Sequence, residues 1–276
     1  MRLHESELPI GVFDSGVGGI SVLAQIARIM PREDLWYYGD LAHAPYGTKP
    51  VEEIRSYCGE IVEEMVHVPV KAIVIACNTA SSVAAAELRA AYTLPIIAME
   101  PALKPASKLR HGGKVLVLAT PNTLALPKFQ HLYELYGEGA ERVPCPGLME
   151  LVEKRDEVGA KAYLARVISN YPGQIDAIVL GCTHYVFLRR ILRDMLDPSV
   201  AVVDGNLGTA MQLQRVLSSR TLLRVGEHVG SICFHASVDE KASSDTKKKQ
   251  EEAALVHMKT MYNWASELMR LSSETC

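Results

Sequence analysis

Along most of this chain, short runs of β-branched and small apolar residues alternate with longer stretches of helical periodicity, and no other feature constrains the fold as much. The apolar runs stand at residues 10–13, 35–38, 72–76, 96–98, 115–119, 177–180 and 200–203. Amphipathic or Ala/Leu-rich stretches separate most of them, as at 51–66, 82–91 and 158–170. A strand buried on both faces reads as a continuous apolar run, and strands joined through helices pair in parallel. The expected fold class is therefore α/β with mainly parallel sheets. In such folds ligands lie beyond the carboxyl ends of the strands, so the residues just after each run are the candidates for chemistry.

Two of these strand-helix-strand stretches resemble each other. "AIVIACNTASSVAAAELRAAYTLPIIAMEPALKPA" starts at Ala72 and "AIVLGCTHYVFLRRILRDMLDPSVAVVDGNLGTA" at Ala177. Each has Ala-Ile-Val, a cysteine at the strand's end, and a threonine one or two residues later. Each then runs through a helix to a proline, a second apolar strand and an acidic residue, Glu100 or Asp204. Apolar similarity between two such units is common, but the repeated cysteine is not. It points to two pseudo-symmetric α/β halves whose cysteines, Cys77 and Cys182, face one another across a cleft.

Composition narrows the function classes. Of 276 residues, 48% are apolar, enough for a substantial core in one large or two modest domains. The net charge of −3 without a basic stripe argues against general nucleic-acid binding. The charged start "MRLHESELPI" lacks the apolar region of a signal peptide, and no apolar run is long enough to span a bilayer. The expectation is a soluble, cytoplasmic protein. Six cysteines, Cys58, Cys77, Cys145, Cys182, Cys233 and Cys276, include no C-x-x-C pair, so neither a zinc knuckle nor a disulfide framework is signalled. His43 and His67 lack ligand-spaced partners, and no metal site is expected.

The turn "FDSGVGGIS" after the first run is not a dinucleotide fingerprint, since the third glycine position holds Ser21. It supplies a carboxylate, Asp14, a hydroxyl, Ser15, and backbone N–H groups suited to an anion at a helix start. Helix N-termini also favour thiolates. Two thiols on opposite faces of a bound carbon could act as one base and one acid and so invert a stereocentre.

The stretches "GVFDSGVGGISVL", "YYGDLAHAPYGTKP", "CNTAS", "MEPA", "CPGLMELVE" and "GCTHYVFL" are together similar to the glutamate racemases of the cofactor-independent aspartate/glutamate racemase superfamily, in the same order, from Gly11 to about Gly208. The resemblance implies two α/β domains, residues 1–100 with 210–276 and residues 101–209, with the active site between them. It implies interconversion of L- and D-glutamate without a cofactor, feeding peptidoglycan synthesis. By resemblance Cys77 and Cys182 are the catalytic thiols, Cys77 taking the α-proton from D-glutamate and Cys182 from L-glutamate. Asp14, Glu153 and His184 are the assisting groups. Asp14, Ser15, Tyr46, Gly47, Asn78, Thr79, Thr123, Thr183 and His184 are the implied substrate contacts, which need no arginine clamp. No membrane or nucleic-acid partner is implied, and assembly as a homodimer stays open, as does aspartate as the substrate.

The match has departures. Leu126 and Pro127 stand where the family has a serine, so the helix after Thr120 and Thr123 is expected to start differently. Glu150 adds a second carboxylate beside Glu153. A like charge disfavours a thiolate, so Asp14 is not a simple activator of Cys77; it either accepts the thiol proton or holds the substrate's ammonium. Past the charged run near 240–250, helical periodicity predicts a helix packed on the first domain.

Overall fold

The computed structural model describes residues 4–239 and 241–273. Cys276 lies outside the described residues. Contacts divide the chain into two compact units, one reaching to Met99 and resuming at Asn206, the other comprising Glu100–Gly205.

The first unit is built on a five-stranded sheet. Its strands are β1 (Ile10–Asp14), β2 (Leu35–Gly39), β3 (Ala72–Ile75), β4 (Ile96–Ala98) and, last in the chain, Ile232–Ala236. The second unit's sheet has β5 (Lys114–Ala119), β6 (Ala140–Pro144), β7 (Ile175–Leu180) and β8 (Ala201–Asp204), so Ile232–Ala236 is β9. The orders are β4-β3-β1-β2-β9 and β6-β5-β7-β8, and every described pairing is parallel. Strands β1 and β3 are buried along their whole length, as continuous apolar runs in a helix-covered sheet must be.

Helices follow from local pattern. In Val51–His67, Ile54, Cys58, Ile61, Val62 and Met65 form one buried stripe at helical spacing, and Glu52 and Glu53 complement the positive end of the helix. The C-terminal helix Ser244–Ser273 buries Ala254, Met258, Met261 and Ala265 and packs on the helix Ile20–Ile29 and on β9, within the first unit.

Each sheet contains a switch point. The chain leaves β1 toward β2 on one side, and leaves its neighbour β3 toward β4 on the other. In the second sheet it leaves β5 toward β6, and leaves the adjacent β7 toward β8. Connections that diverge in this way open a crevice at the carboxyl ends of the two central strands. Asp14 and Cys77 stand at the first switch point, Thr120 and Cys182 at the second. The two cysteines thus hold equivalent places in two copies of one topology.

Strands β6 and β9 have their apolar residues interrupted by polar or charged ones. Both are edge strands with alternating partly exposed positions, and their mixed composition, "AERVP" and "ICFHA", follows from that.

Candidate active site

Cys77 ends β3's run and caps the helix Asn78–Ala91: its Sγ accepts a hydrogen bond from Ala80 N at 3.4 Å. The helix begins directly after the cysteine rather than near residue 82, which puts the thiol on its first turn. Across the switch point, Asp14 is the last residue of β1. Its Oδ1 accepts from Ser15 N at 2.7 Å and Ser15 Oγ at 3.2 Å, and its Oδ2 accepts from Gly19 N. Two amides of the glycine turn are therefore committed to Asp14 rather than held ready for an external anion. Ser15 Oγ also lies 3.6 Å from Cys77 Sγ. Asn78 is buried, and neither its Oδ1 nor its Nδ2 has a partner among the described residues. A buried amide left unpaired is costly, and it marks a place where a ligand would complete the bonding. Thr79 is buried beside it.

Tyr46 and Gly47 belong to the short 3₁₀ helix Tyr46–Thr48. The Tyr46 hydroxyl donates to Asp40, whose other oxygen accepts from Ser237 Oγ at 2.6 Å and pairs with His43 Nδ1 at 2.8 Å. Burial, then the Asp40 charge, hold the Tyr46 phenol far above its usual range, so it is a fixed donor. Asp40 follows β2 directly and ties this loop to the end of β9. Sequence reasoning passed over it, although its position after a strand was the available signal.

In the second unit, Cys182 precedes a six-residue 3₁₀ helix, Thr183–Leu188, and its side chain caps nothing. The expected α-helix N-terminus is absent here; the α-helix Arg189–Met195 starts later. A histidine takes the helix's place. His184 Nδ1 lies 3.9 Å from Cys182 Sγ, and His184 Nε2 lies 2.9 Å from Glu153 Oε1. Burial alone would lower the imidazole's pKa, but hydrogen bonds to Cys182 and Glu153, with the charges of both, raise it to about 10. Of the two carboxylates in "LMELVE", Glu153 is the one bonded to the ring. Thr183 is buried. Thr120 caps the helix Pro121–Ala125, accepting from Thr123 N at 3.2 Å, and its hydroxyl donates to Thr123 Oγ1 at 2.9 Å. Leu126 then separates this helix from Pro127–Tyr136, whose first residue is the proline.

Other reactive side chains are occupied structurally. Burial, reinforced by the neighbouring Cys182 charge, pushes the Cys145 thiol up to about 12, and burial holds Cys58 well above its usual range. His43 stacks on Tyr57 with centroids 3.9 Å apart. His67 Nδ1 bonds Glu63 O at 2.7 Å. Lys71, at the amino end of β3, is buried against Glu33 and donates to Ser6 O at 2.7 Å. Among the described residues, no group of three or more His, Cys, Asp or Glu side chains is arranged to hold a metal ion, and no helix is long and apolar enough to cross a membrane.

The Asp/Glu/hydantoin racemase family model matches residues 10–213. A glutamate racemase of Clostridium botulinum (strain Kyoto / Type A2) is 44% identical over 249 residues, 88% of this chain and 97% of the relative. The crystal structure of glutamate racemase isoform RacE1 from Bacillus anthracis superposes with a TM-score of 0.76 at 30% identity, covering 91% of this chain and 94% of that one. The Francisella tularensis glutamate racemase crystallised with D-glutamate gives a TM-score of 0.73 at 26% identity, covering 95% and 94%.

Proposed function

The chain belongs to the Asp/Glu/hydantoin racemase family, and from that premise we propose that it interconverts L- and D-glutamate, with Cys77 and Cys182 as the two acid–base groups. One thiolate takes the α-proton from one face of the bound amino acid, and the other thiol returns a proton to the opposite face. A pair of groups matched to one carbon accounts for the single observation that carries the reading: two cysteines at equivalent switch points of two repeated sheets. A lone nucleophilic cysteine would need no such duplicate. In this reading Cys77 serves D-glutamate and Cys182 serves L-glutamate, and no cofactor takes part. The unpaired amide of Asn78 and the hydroxyls of Ser15, Thr79, Thr123 and Thr183, with the Tyr46 and Gly47 backbone, hold the substrate. The product, D-glutamate, goes to peptidoglycan synthesis in the cytoplasm.

The support for glutamate over other amino acids is the relatives' shared activity and the D-glutamate bound to one of them. The test is proton NMR of the protein with L-glutamate in D₂O without added cofactor, with optical rotation followed in parallel. Loss of both the α-proton signal and the rotation is expected. Cys77→Ala and Cys182→Ala should each abolish racemisation in both directions, since each direction uses both groups. A single variant that racemised at the normal rate would refute the two-thiol reading, and exchange with aspartate alone would replace the substrate.

A further inference from the structure

We propose that Ser15 is a proton relay between the Cys77 thiol and the Asp14 carboxylate. The inference rests on the racemase reading above and gives Ser15, beyond its place among the substrate contacts, a second role that passes through Cys77. Three side-chain atoms stand in sequence: Cys77 Sγ, Ser15 Oγ at 3.6 Å from it, and Asp14 Oδ1 at 3.2 Å from the hydroxyl. A hydroxyl donates one proton while accepting another, so it can join a thiol to a carboxylate where a backbone amide could not. All three residues are buried. The carboxylate is fixed at both oxygens, by Ser15 N at 2.7 Å on Oδ1 and by Gly19 N on Oδ2.

The arrangement resolves a conflict in charge. A Cys77 thiolate beside an ionised Asp14 places two like charges in a buried site. Through the relay, Cys77 gives its S–H proton to Ser15 Oγ as Ser15 passes its own hydroxyl proton to Asp14 Oδ1. One S–H bond breaks, one carboxyl O–H bond forms, and the serine is left unchanged. The net charge of the three groups stays at −1 and moves from Asp14 to Cys77. The second unit has the same succession with other chemistry, since Cys182, His184 and Glu153 also run thiol, two-sided proton carrier, carboxylate.

Four proteins test the relay: Ser15→Ala, Ser15→Thr, Asp14→Asn and the Ser15→Ala/Asp14→Asn double variant. With D-glutamate, Ser15→Ala should lower kcat about 100-fold, separately from any rise in KM caused by the lost substrate contact, and Ser15→Thr, which keeps the hydroxyl, should restore most of kcat. Groups acting as one unit lose function together, so the double variant should be no slower than Asp14→Asn alone. A rise in KM at constant kcat, or losses that multiply in the double variant, would overturn the relay in favour of substrate binding alone. A second readout is independent of glutamate: the rate of Cys77 alkylation by iodoacetamide at pH 7.5, followed by peptide mass spectrometry with Cys182 as internal reference. Ser15→Ala should slow Cys77 about tenfold and Ser15→Thr should recover it. An unchanged or faster rate at Cys77 would overturn the relay. A wild-type protein inert toward glutamate would instead count against the proposed activity, with alkylation still deciding the relay.

Discussion

Glu153 Oε1 lies 2.9 Å from His184 Nε2, on the ring nitrogen opposite the one that faces Cys182. Burial works against a charged imidazole, and the pairing with Cys182 and Glu153 outweighs it, so His184 titrates near 10 instead of its ordinary 6.5. A folded-state pKa raised above the unfolded one stabilises the protein fully below pH 6.5, and that stabilisation is lost as pH rises through about 10. Glu153→Gln removes a charge and weakens one of the two pairings that oppose burial, leaving Cys182 as the other, so the His184 pKa should fall. The alkaline limb of kcat with L-glutamate should move down with it, with about a tenfold loss at pH 9 and little at pH 6. An NMR titration of the His184 Cε1 proton checks the cause directly. An unchanged midpoint would mean that Glu153 does not hold the ring's charge.

Asn78 gives a prediction in which stability and activity part. Its amide is buried with neither atom paired among the described residues. An unsatisfied buried polar group costs about 1–3 kcal/mol, so Asn78→Ala should raise stability by about 1 kcal/mol in urea unfolding. If the proposed site holds, the same change should lower kcat/KM for glutamate at least tenfold, because the donor and acceptor that would meet the substrate are gone. A variant both less stable and fully active would show that the amide is bonded within the fold.

How much of this was legible before the structure depended on where each residue sits. The central strands were readable because burial on both faces demands uninterrupted apolar runs such as "AIVI" and "AIVL". Strands β6 and β9 were not, since each alternates partly exposed positions and tolerates Glu141, Arg142 and His235 there, whereas the edge strands β4 and β8 keep apolar runs. The cysteines were legible as strand-end residues, but their surroundings were only half so. Nothing local distinguishes the α-helix after Cys77 from the 3₁₀ turn after Cys182, or shows that Glu153, some thirty residues earlier, comes back to His184. Asp40 was missed for a related reason: its partners Tyr46 and Ser237 meet it only in three dimensions.

Lys71 and Glu33 form a buried ion pair at the amino ends of the first sheet's strands, away from the switch point. Burial pulls the lysine's pKa below its usual range against the pull of Glu33. Removing one partner strands the other charge, so Lys71→Met should cost about 3–5 kcal/mol in urea unfolding. Replacing both, as Lys71→Met with Glu33→Leu, should recover most of that loss while leaving racemisation intact at permissive temperature. A large effect of the double change on kcat would mean that this end of the sheet reaches the site.

Gly19 sets the position of Asp14 through backbone contact, which makes it the most economical test of how the glycine turn serves the site. Its N–H donates to Asp14 Oδ2, and it directly precedes the helix Ile20–Ile29. A Cβ placed there would meet Asp14 Cβ at 2.7 Å, Ala76 Cβ at 2.9 Å and Ala76 O at 3.0 Å. None of those atoms is the free end of a flexible side chain, so the turn or the end of β3's run must shift. Overpacking of this kind costs about 1–3 kcal/mol, and here the displaced groups are the carboxylate beside Ser15 and the residue before Cys77. Gly19→Ala should therefore reduce kcat with D-glutamate about 100-fold, since small misplacements of reacting groups cost rates of that order, while the melting temperature drops by only a few degrees. Circular dichroism with the D₂O exchange assay separates the two effects. Activity falling only in proportion to the folded fraction would show that the turn is scaffolding, with Asp14 free to keep its place without it.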